Sequence, residues 1–221
     1  MTYLELRNLI VKYLKRKDLD AMVPEFISQG EQMLRDGVED ITPRGIVNSL
    51  ALRVREMETV KIYSSGDADV DAVTGEPITT ITLPANYLEA KYILHGTHDI
   101  ERATAQTVKQ GRLSQGNPRL FFREQSDILF APMPIGDDDV TLNYYADFTG
   151  TLSADDDTNT ILTNYSSLYL YSALMAAEPY LYNDKRVVVW KTFLTGSLRA
   201  AIKREVTETR SGSRKTMGRT F

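Results

Sequence analysis

The spacing of apolar residues changes twice along this chain, and that change constrains the fold more than any other feature. Over residues 1–58, and again from 162 to 209, apolar side chains recur at intervals of three and four, as on one face of a helix. Between them, over 59–161, they fall in short β-branched or aromatic runs separated by Gly, Pro, Asp and Asn. Helix-forming ends around a strand-forming middle predict an insertion in a helical framework.

At the N-terminus Thr2 and Glu5 have the spacing of a capping box, and Leu6, Leu9, Ile10, Tyr13 and Leu14 follow, predicting a helix over 3–16. Pro24 suits the first turn of a second helix with Phe26, Ile27, Met33 and Leu34 on its apolar face and Gly37 at its end. Thr42 and Pro43 repeat that start signal, so Ile46, Val47, Leu50, Val54 and Met57 predict a third helix.

In the middle segment the runs VKIY, ITTITL, RLFF, DILF and VTLNYY read as strands. Thr97 is placed to cap a helix through Lys109 that ends at Gly111, while ANYLEAKYILH fits strand and helix equally. Beyond an acidic loop, Leu170, Tyr171, Leu174, Ala177 and Leu181 share a broad helical face with a kink expected at Pro179. Asp184 then opens a long last helix carrying Val187, Trp190, Leu194, Leu198, Ala201 and Ile202.

The expected fold is therefore α+β, mainly α. A helical bundle is built from segments 1–58 and 162–209, interrupted by a β-rich insertion over 59–161 and followed by an extended tail over 210–221. With two Gly, four basic residues and few apolar ones, the tail cannot offset the entropy of ordering by itself.

Charge narrows the function. The whole chain carries −4, but residues 199–221 hold seven Lys or Arg against Glu205 and Glu208, a net +5, leaving −9 on the rest. An acidic body does not grip DNA over its main surface, because duplex affinity comes from neutralising phosphates. No run approaches the roughly 20 apolar residues of a membrane helix, and MTYLELRNLI lacks the layout of a secretion signal. No cysteine is present, which removes disulfides, thiolate metal sites and cysteine nucleophiles.

Each candidate for chemistry lacks a part. Asp67 to Asp71 begin like a calcium loop, but Ala72 replaces the turn glycine and Ile78 the bidentate Glu. Asp155, Asp157 and Asn159 repeat the spacing with Ser166 at the closing position. His95 and His98, the two histidines, have only Asp99, Glu101 or distant carboxylates to complete a metal site. Glu89-Ala-Lys91 matches a nuclease fragment without its upstream Asp, and no phosphate-cradling Gly-rich loop or G-x-S-x-G occurs. No catalytic, cofactor-binding or metal-binding residue is expected.

From Gly116 onward the order of features resembles the head-to-tail adaptor, or connector, family of tailed bacteriophages, especially those of short-tailed phages. G-N-P-R-L-F-F stands at 116–122, I-L-F-A-P-M-P at 128–134, L-N-Y-Y at 142–145 and T-N-T-I-L-T-N at 158–164. L-Y-L-Y-S-A-L-M-A-A-E-P-Y-L and an R-x-x-x-W step at Arg186 and Trp190 follow. The resemblance covers residues 116–195 well.

It implies a structural virion protein of the head-tail junction, made in the host cytoplasm and not an enzyme. About twelve copies form a closed ring beneath the portal, extend the DNA channel and offer a platform to the tail or nozzle protein. The partners are then the portal, the tail and the chain itself; DNA passes without sequence-specific binding, and no membrane is involved. The family's C-terminal segment reaches onto the portal, which implies docking by Arg210, Arg214, Lys215, Met217, Arg219 and Phe221, the basic groups pairing with carboxylates and the others filling pockets. Asp137, Asp138, Asp139, Asp155, Asp156 and Asp157 are candidates to line the channel and repel phosphates. The alternatives are a nucleic-acid-binding protein that uses the basic tail and, third, a metal-dependent enzyme that uses the Asp clusters.

Overall fold

A computed structural model describes residues 1–41, 47–64, 78–135, 138–182 and 184–210. Along the chain come α1 (Tyr3–Leu14), α2 (Val23–Asp36), β1 (Val38–Ile41), β2 (Val47–Leu50), β3 (Glu58–Tyr63), β4 (Thr80–Thr82), β5 (Tyr87–His95), β6 (His98–Asp99) and β7 (Glu101–Arg102). There follow α3 (Ala105–Gly111), β8 (Leu120–Glu124), β9 (Asp127–Ala131), β10 (Val140–Ala146), α4 (Thr160–Asn164), α5 (Ser166–Tyr180) and α6 (Asp184–Arg210). The chain divides into one unit of residues up to Glu56 and from Phe148 on, and another of Met57–Asp147. Among the described residues no helix is long and apolar enough to cross a membrane.

In the first unit, α1 starts as its capping box dictates. The Glu5 amide donates to Thr2 Oγ1 at 3.2 Å, and the Thr2 amide donates to Glu5 Oε2 at 2.9 Å. Tyr3, Leu6, Ile10 and Leu14 are buried one helical turn apart. α2 has Pro24 in its first turn and buries Phe26, Ile27, Gly30 and Leu34. Gly30 is where α2 meets α5: a Cβ there stands 2.6 Å from Ser172 Oγ and 2.9 Å from the Ala173 amide nitrogen, so only glycine permits this approach.

α5 is the rod around which α1, α2, α4 and α6 pack. Its burial is not confined to the face expected from Leu170, Tyr171, Leu174, Ala177 and Leu181. Leu168, Tyr169, Leu170, Ser172, Ala173, Leu174, Ala176, Ala177 and Glu178 are all buried, as in a helix with neighbours on several sides. Pro179 lies in the last turn, where its missing amide leaves the Met175 carbonyl without its i−4 donor just before the helix ends. α6 buries Trp190, Leu194, Leu198 and Ala201.

The second unit is a pair of four-stranded sheets, ordered β3-β10-β5-β6 and β4-β9-β8-β7. Tyr63, Ile93, Val140, Leu142 and Tyr144 from the first sheet share one core with Ile81, Phe121, Ile128 and Phe130 from the second. The pairing is antiparallel except for β7 with β8. α3 packs on β8 and β9.

The structure corrects the expected fold class. Among the described residues helix makes up 46% and strand 26%, with three sheets of two to four strands: a mixed α/β fold rather than a mainly α helical bundle. One cause is the third helix, which does not form. Gly37 leaves α2 with φ 102°, and Val38–Ile41 then pairs antiparallel with Val47–Leu50. A spacing that suits a helix also suits extended chain when β-branched residues are close at hand. Leu52 and Val54 are buried in irregular chain and Met57 in a short 3-10 turn (Arg55–Met57), and the Leu52 amide donates to the Leu34 carbonyl at 2.8 Å. Thr42, Pro43 and Ile46 lie outside the described residues.

A second cause lies after residue 86. The ambiguous segment is strand β5, held against β10 over Tyr87–His95. Gly96, with φ 56°, then reverses the chain so that β6 returns along β5, where a helix capped by Thr97 was expected. The helix cap is Thr104, whose hydroxyl accepts from the Thr107 amide at 3.3 Å.

Candidate functional site

The R-x-x-x-W step places Arg186 and Trp190 one turn apart on α6, and both reach the same carboxylate. Glu178 of α5 is fully buried; it accepts from Trp190 Nε1 at 2.9 Å and forms an ion pair with Arg186 Nε at 3.1 Å. The Arg186 guanidinium also lies 5.5 Å from the Trp190 ring centroid. Tyr13, Tyr171 and Phe193 pack their rings around Trp190 at 6.1–6.2 Å, Tyr171 stacked on it. This cluster fastens α6 to α5 by one desolvated charge and an aromatic wall.

The T-N-T-I-L-T-N segment does similar work. Asn159 Oδ1 accepts from the Leu162 amide at 2.6 Å and so caps α4, while its Nδ2 donates to Tyr169 Oη and Thr151 Oγ1, both at 2.8 Å. Tyr169 donates in turn to Glu31 Oε1 at 3.1 Å, and the Gly150 amide donates to Glu31 Oε2 at 2.9 Å. Burial, with the Glu31 carboxylate beside it, pushes the Tyr169 phenol well above its ordinary range, so it stays a donor at any pH the fold meets. Asn164 Nδ2 and the Tyr165 hydroxyl both donate to the Glu56 carboxylate.

The acidic loop is occupied by its own chain. Asp157 accepts from the Ala154 amide at 2.6 Å, the Ser153 amide at 2.7 Å and Ser153 Oγ at 3.1 Å, which hold its carboxyl below the usual range. Asp155 pairs with Arg7 at 3.2 Å, and Asp156 is exposed. The loop and Asn159 therefore complete a turn and a helix cap, not a calcium loop.

Asp138 and Asp139 are exposed ahead of β10, and Asp138 Oδ2 lies 3.9 Å from Nδ1 of the buried His95. Neither His95 ring nitrogen has a hydrogen-bond partner; burial pulls its pKa below the ordinary value, against a smaller opposing pull from Asp138. His98, Asp99 and Glu101 gather with Asn117, Arg119 and Leu120 along a cleft of about 550 Å³. Among the described residues no three His, Cys, Asp or Glu side chains converge as metal ligands do. Lys91 is paired with Glu58, away from any cluster resembling a nuclease centre.

Arg210 closes α6. The other expected docking residues, Arg214, Lys215, Met217, Arg219 and Phe221, lie outside the described residues, as do Asp137 and Asp67 to Asp71.

Sequence reasoning missed the buried acids. Glu178 was legible only as a charge in the apolar run MAAEPY, and Glu31 as an acid on the apolar side of α2. It also missed Asp40 of β1, nearly buried, which receives the Arg199 guanidinium through both carboxylate oxygens. In each cluster the polar groups described here serve packing: they hold helices, caps and loops in place.

Comparison with curated proteins finds no match to the chain. The family model described as SU10 adaptor protein matches residues 1–218. The chain thus belongs to the SU10 adaptor protein family, a family of phage head-to-tail adaptors.

Proposed function

We propose that the protein is a non-enzymatic structural component of the virion neck. It forms a ring beneath the portal, continues the DNA channel and presents a platform to the tail. The family match over residues 1–218 carries this reading. The clusters that span the resembling motifs support it, since Glu178, Tyr169 and Asn159 each serve packing.

In this reading the segment after Arg210 is the portal-docking arm. Arg214, Lys215 and Arg219 pair with portal carboxylates, while Met217 and Phe221 fill small pockets, so that a short segment folding on its partner covers a large surface. Asp137, Asp138 and Asp139 face the channel and discourage DNA phosphates from sticking as they pass.

The test mixes the full chain, and in parallel a chain ending at residue 209, with the portal ring of the same phage, and images the products by electron microscopy. A second ring stacked on the portal, absent with the shortened chain, is the expected result. No complex with the full chain at matched salt overturns the reading. Salt-sensitive binding of the full chain to DNA then favours the nucleic-acid alternative.

A further inference from the structure

α6 has a second face that the described residues cover only in part, Phe193 resting one side of its ring on Tyr171 and Trp190. Val189, Phe193, Gly196, Ala200 and Lys203 alternate at intervals of four and three, the spacing of a seam between packed helices. Val188, Val189 and Phe193 are 66%, 47% and 49% exposed, and Gly196 and Ala200 are exposed beside them. Nothing stands within 4 Å of where a Gly196 Cβ would be. A glycine in mid-helix weakens the helix relative to alanine, and no neighbour among the described residues accounts for it. A second backbone pressed against this gap does account for it.

Charge selects the occupant. The exposed side chains along the same helix include Lys185 and Lys203, on a protein whose net charge is −4, while Arg199 is already paired with Asp40. Elsewhere on the same unit an acidic patch surrounds an exposed apolar residue. Leu4 is 41% exposed, with Glu5, Asp155 and Asp156 exposed near it, Asp155 already sharing Arg7, and its amide donates to the Asp155 carbonyl at 2.9 Å. A basic apolar ridge and an acidic apolar patch on one chain are complementary between copies, the requirement for a heterologous contact that closes into a ring.

We propose that the outer face of α6 seats a second copy of this chain through that copy's patch of Leu4, Glu5, Asp155 and Asp156. The inference rests on the ring reading above and adds the surface that joins the copies. It assigns Asp155 and Asp156 to the joint rather than to the channel wall. From Val188 to Thr207 the ridge runs roughly 30 Å, and one helix width gives roughly 300 Å². That is well under the about 800 Å² each partner gives in a stable complex, so a single contact is weak and a template strengthens assembly.

The test places a benzophenone side chain at Phe193, and separately at Val189, of the full chain. Isotopically heavy and light copies are mixed at high concentration, alone and on the portal ring, then irradiated and read by mass spectrometry. Heavy-to-light cross-links from α6 to residues 3–8 or 153–158 are expected in at least one arm. Val189→Asp is expected to weaken self-association at least tenfold with an unchanged circular dichroism spectrum. Cross-links only to the portal, only from α6 to α6, or none between copies in either arm overturn the proposal, as does a Val189→Asp chain that associates like wild type. Electron microscopy of the same samples separates the two ideas. A ring without these cross-links sinks the α6 assignment alone, and cross-links without a portal-bound ring sink the portal reading alone.

Discussion

Trp190 donates its indole N–H to the fully buried carboxylate of Glu178 at 2.9 Å, and this bond joins the last helix to the central one. A buried acid survives in an apolar helix only where its partners are fixed, and Arg186 supplies the compensating charge at 3.1 Å. Removing one partner leaves the other buried and unmet. Trp190→Phe keeps most of the aromatic packing but loses the donor, and is expected to cost about 2 kcal/mol. Glu178→Ala strands the indole N–H and opens a cavity, at about 3–4 kcal/mol. Urea denaturation of the full chain measures both, and the order of the two losses checks the assignment of Glu178 as the shared partner.

Two glycines on helices give opposite outcomes for the same change. At Gly30 the added methyl meets Ser172 Oγ at 2.6 Å and the Ala173 backbone at 2.9 Å, so Gly30→Ala forces α2 from α5 and is expected to cost about 1–3 kcal/mol. At Gly196 the methyl meets nothing within 4 Å, so Gly196→Ala is expected to raise stability by about 0.5–1 kcal/mol through helix propensity. Thermal unfolding of the two variants beside wild type is the measurement.

How far the sequence reached depended on whether a signal was local. The Thr2–Glu5 capping box closes within one turn, and α1 stands where it points. Leu50, Val54 and Met57 have spacings compatible with helix or strand, and the choice was made by Val38–Ile41, whose pairing with Val47–Leu50 no helical count can register. Thr97 has the side chain of a cap, but Gly96 turns the chain back along β5 and the helix starts at Thr104 instead. Arg186 and Trp190 were visible as a spaced pair, but their shared partner belongs to another helix and emerges only in three dimensions. The exposed seam on α6 escaped because reading one helix for one apolar face passes over a second.

His95 gives the sheet unit an acid limit. It is buried with no hydrogen-bond partner, and its pKa is lowered below the ordinary 6.5, so the fold holds it neutral. The unfolded chain takes up the proton first as pH falls, and stability that is intact above pH 6.5 declines from there down to the lowered folded value. His95→Phe is expected to flatten this limb in denaturation curves taken between pH 7.5 and about 5. Asp157 acts in a separate window: its folded pKa is also depressed, from an ordinary 3.8, and its contribution fades only in stronger acid.

Asn159 and Tyr169 form a chain of buried hydrogen bonds in which the members are unequal. Tyr169→Phe removes one hydroxyl, leaving Glu31 with the Gly150 amide, and is expected to cost about 1–2 kcal/mol. Asn159→Ala removes the cap on α4 together with the bonds to Tyr169 and Thr151, and is expected to cost about 2–3 kcal/mol. Because the Asn159–Tyr169 bond is lost in either single variant, the double variant is expected to fall short of the sum by about 0.5–1.5 kcal/mol. A double-mutant cycle by urea denaturation reads that shortfall directly. A strictly additive result means that the two residues act separately, and that the cap on α4, not the network through Tyr169 to Glu31, is what Asn159 contributes.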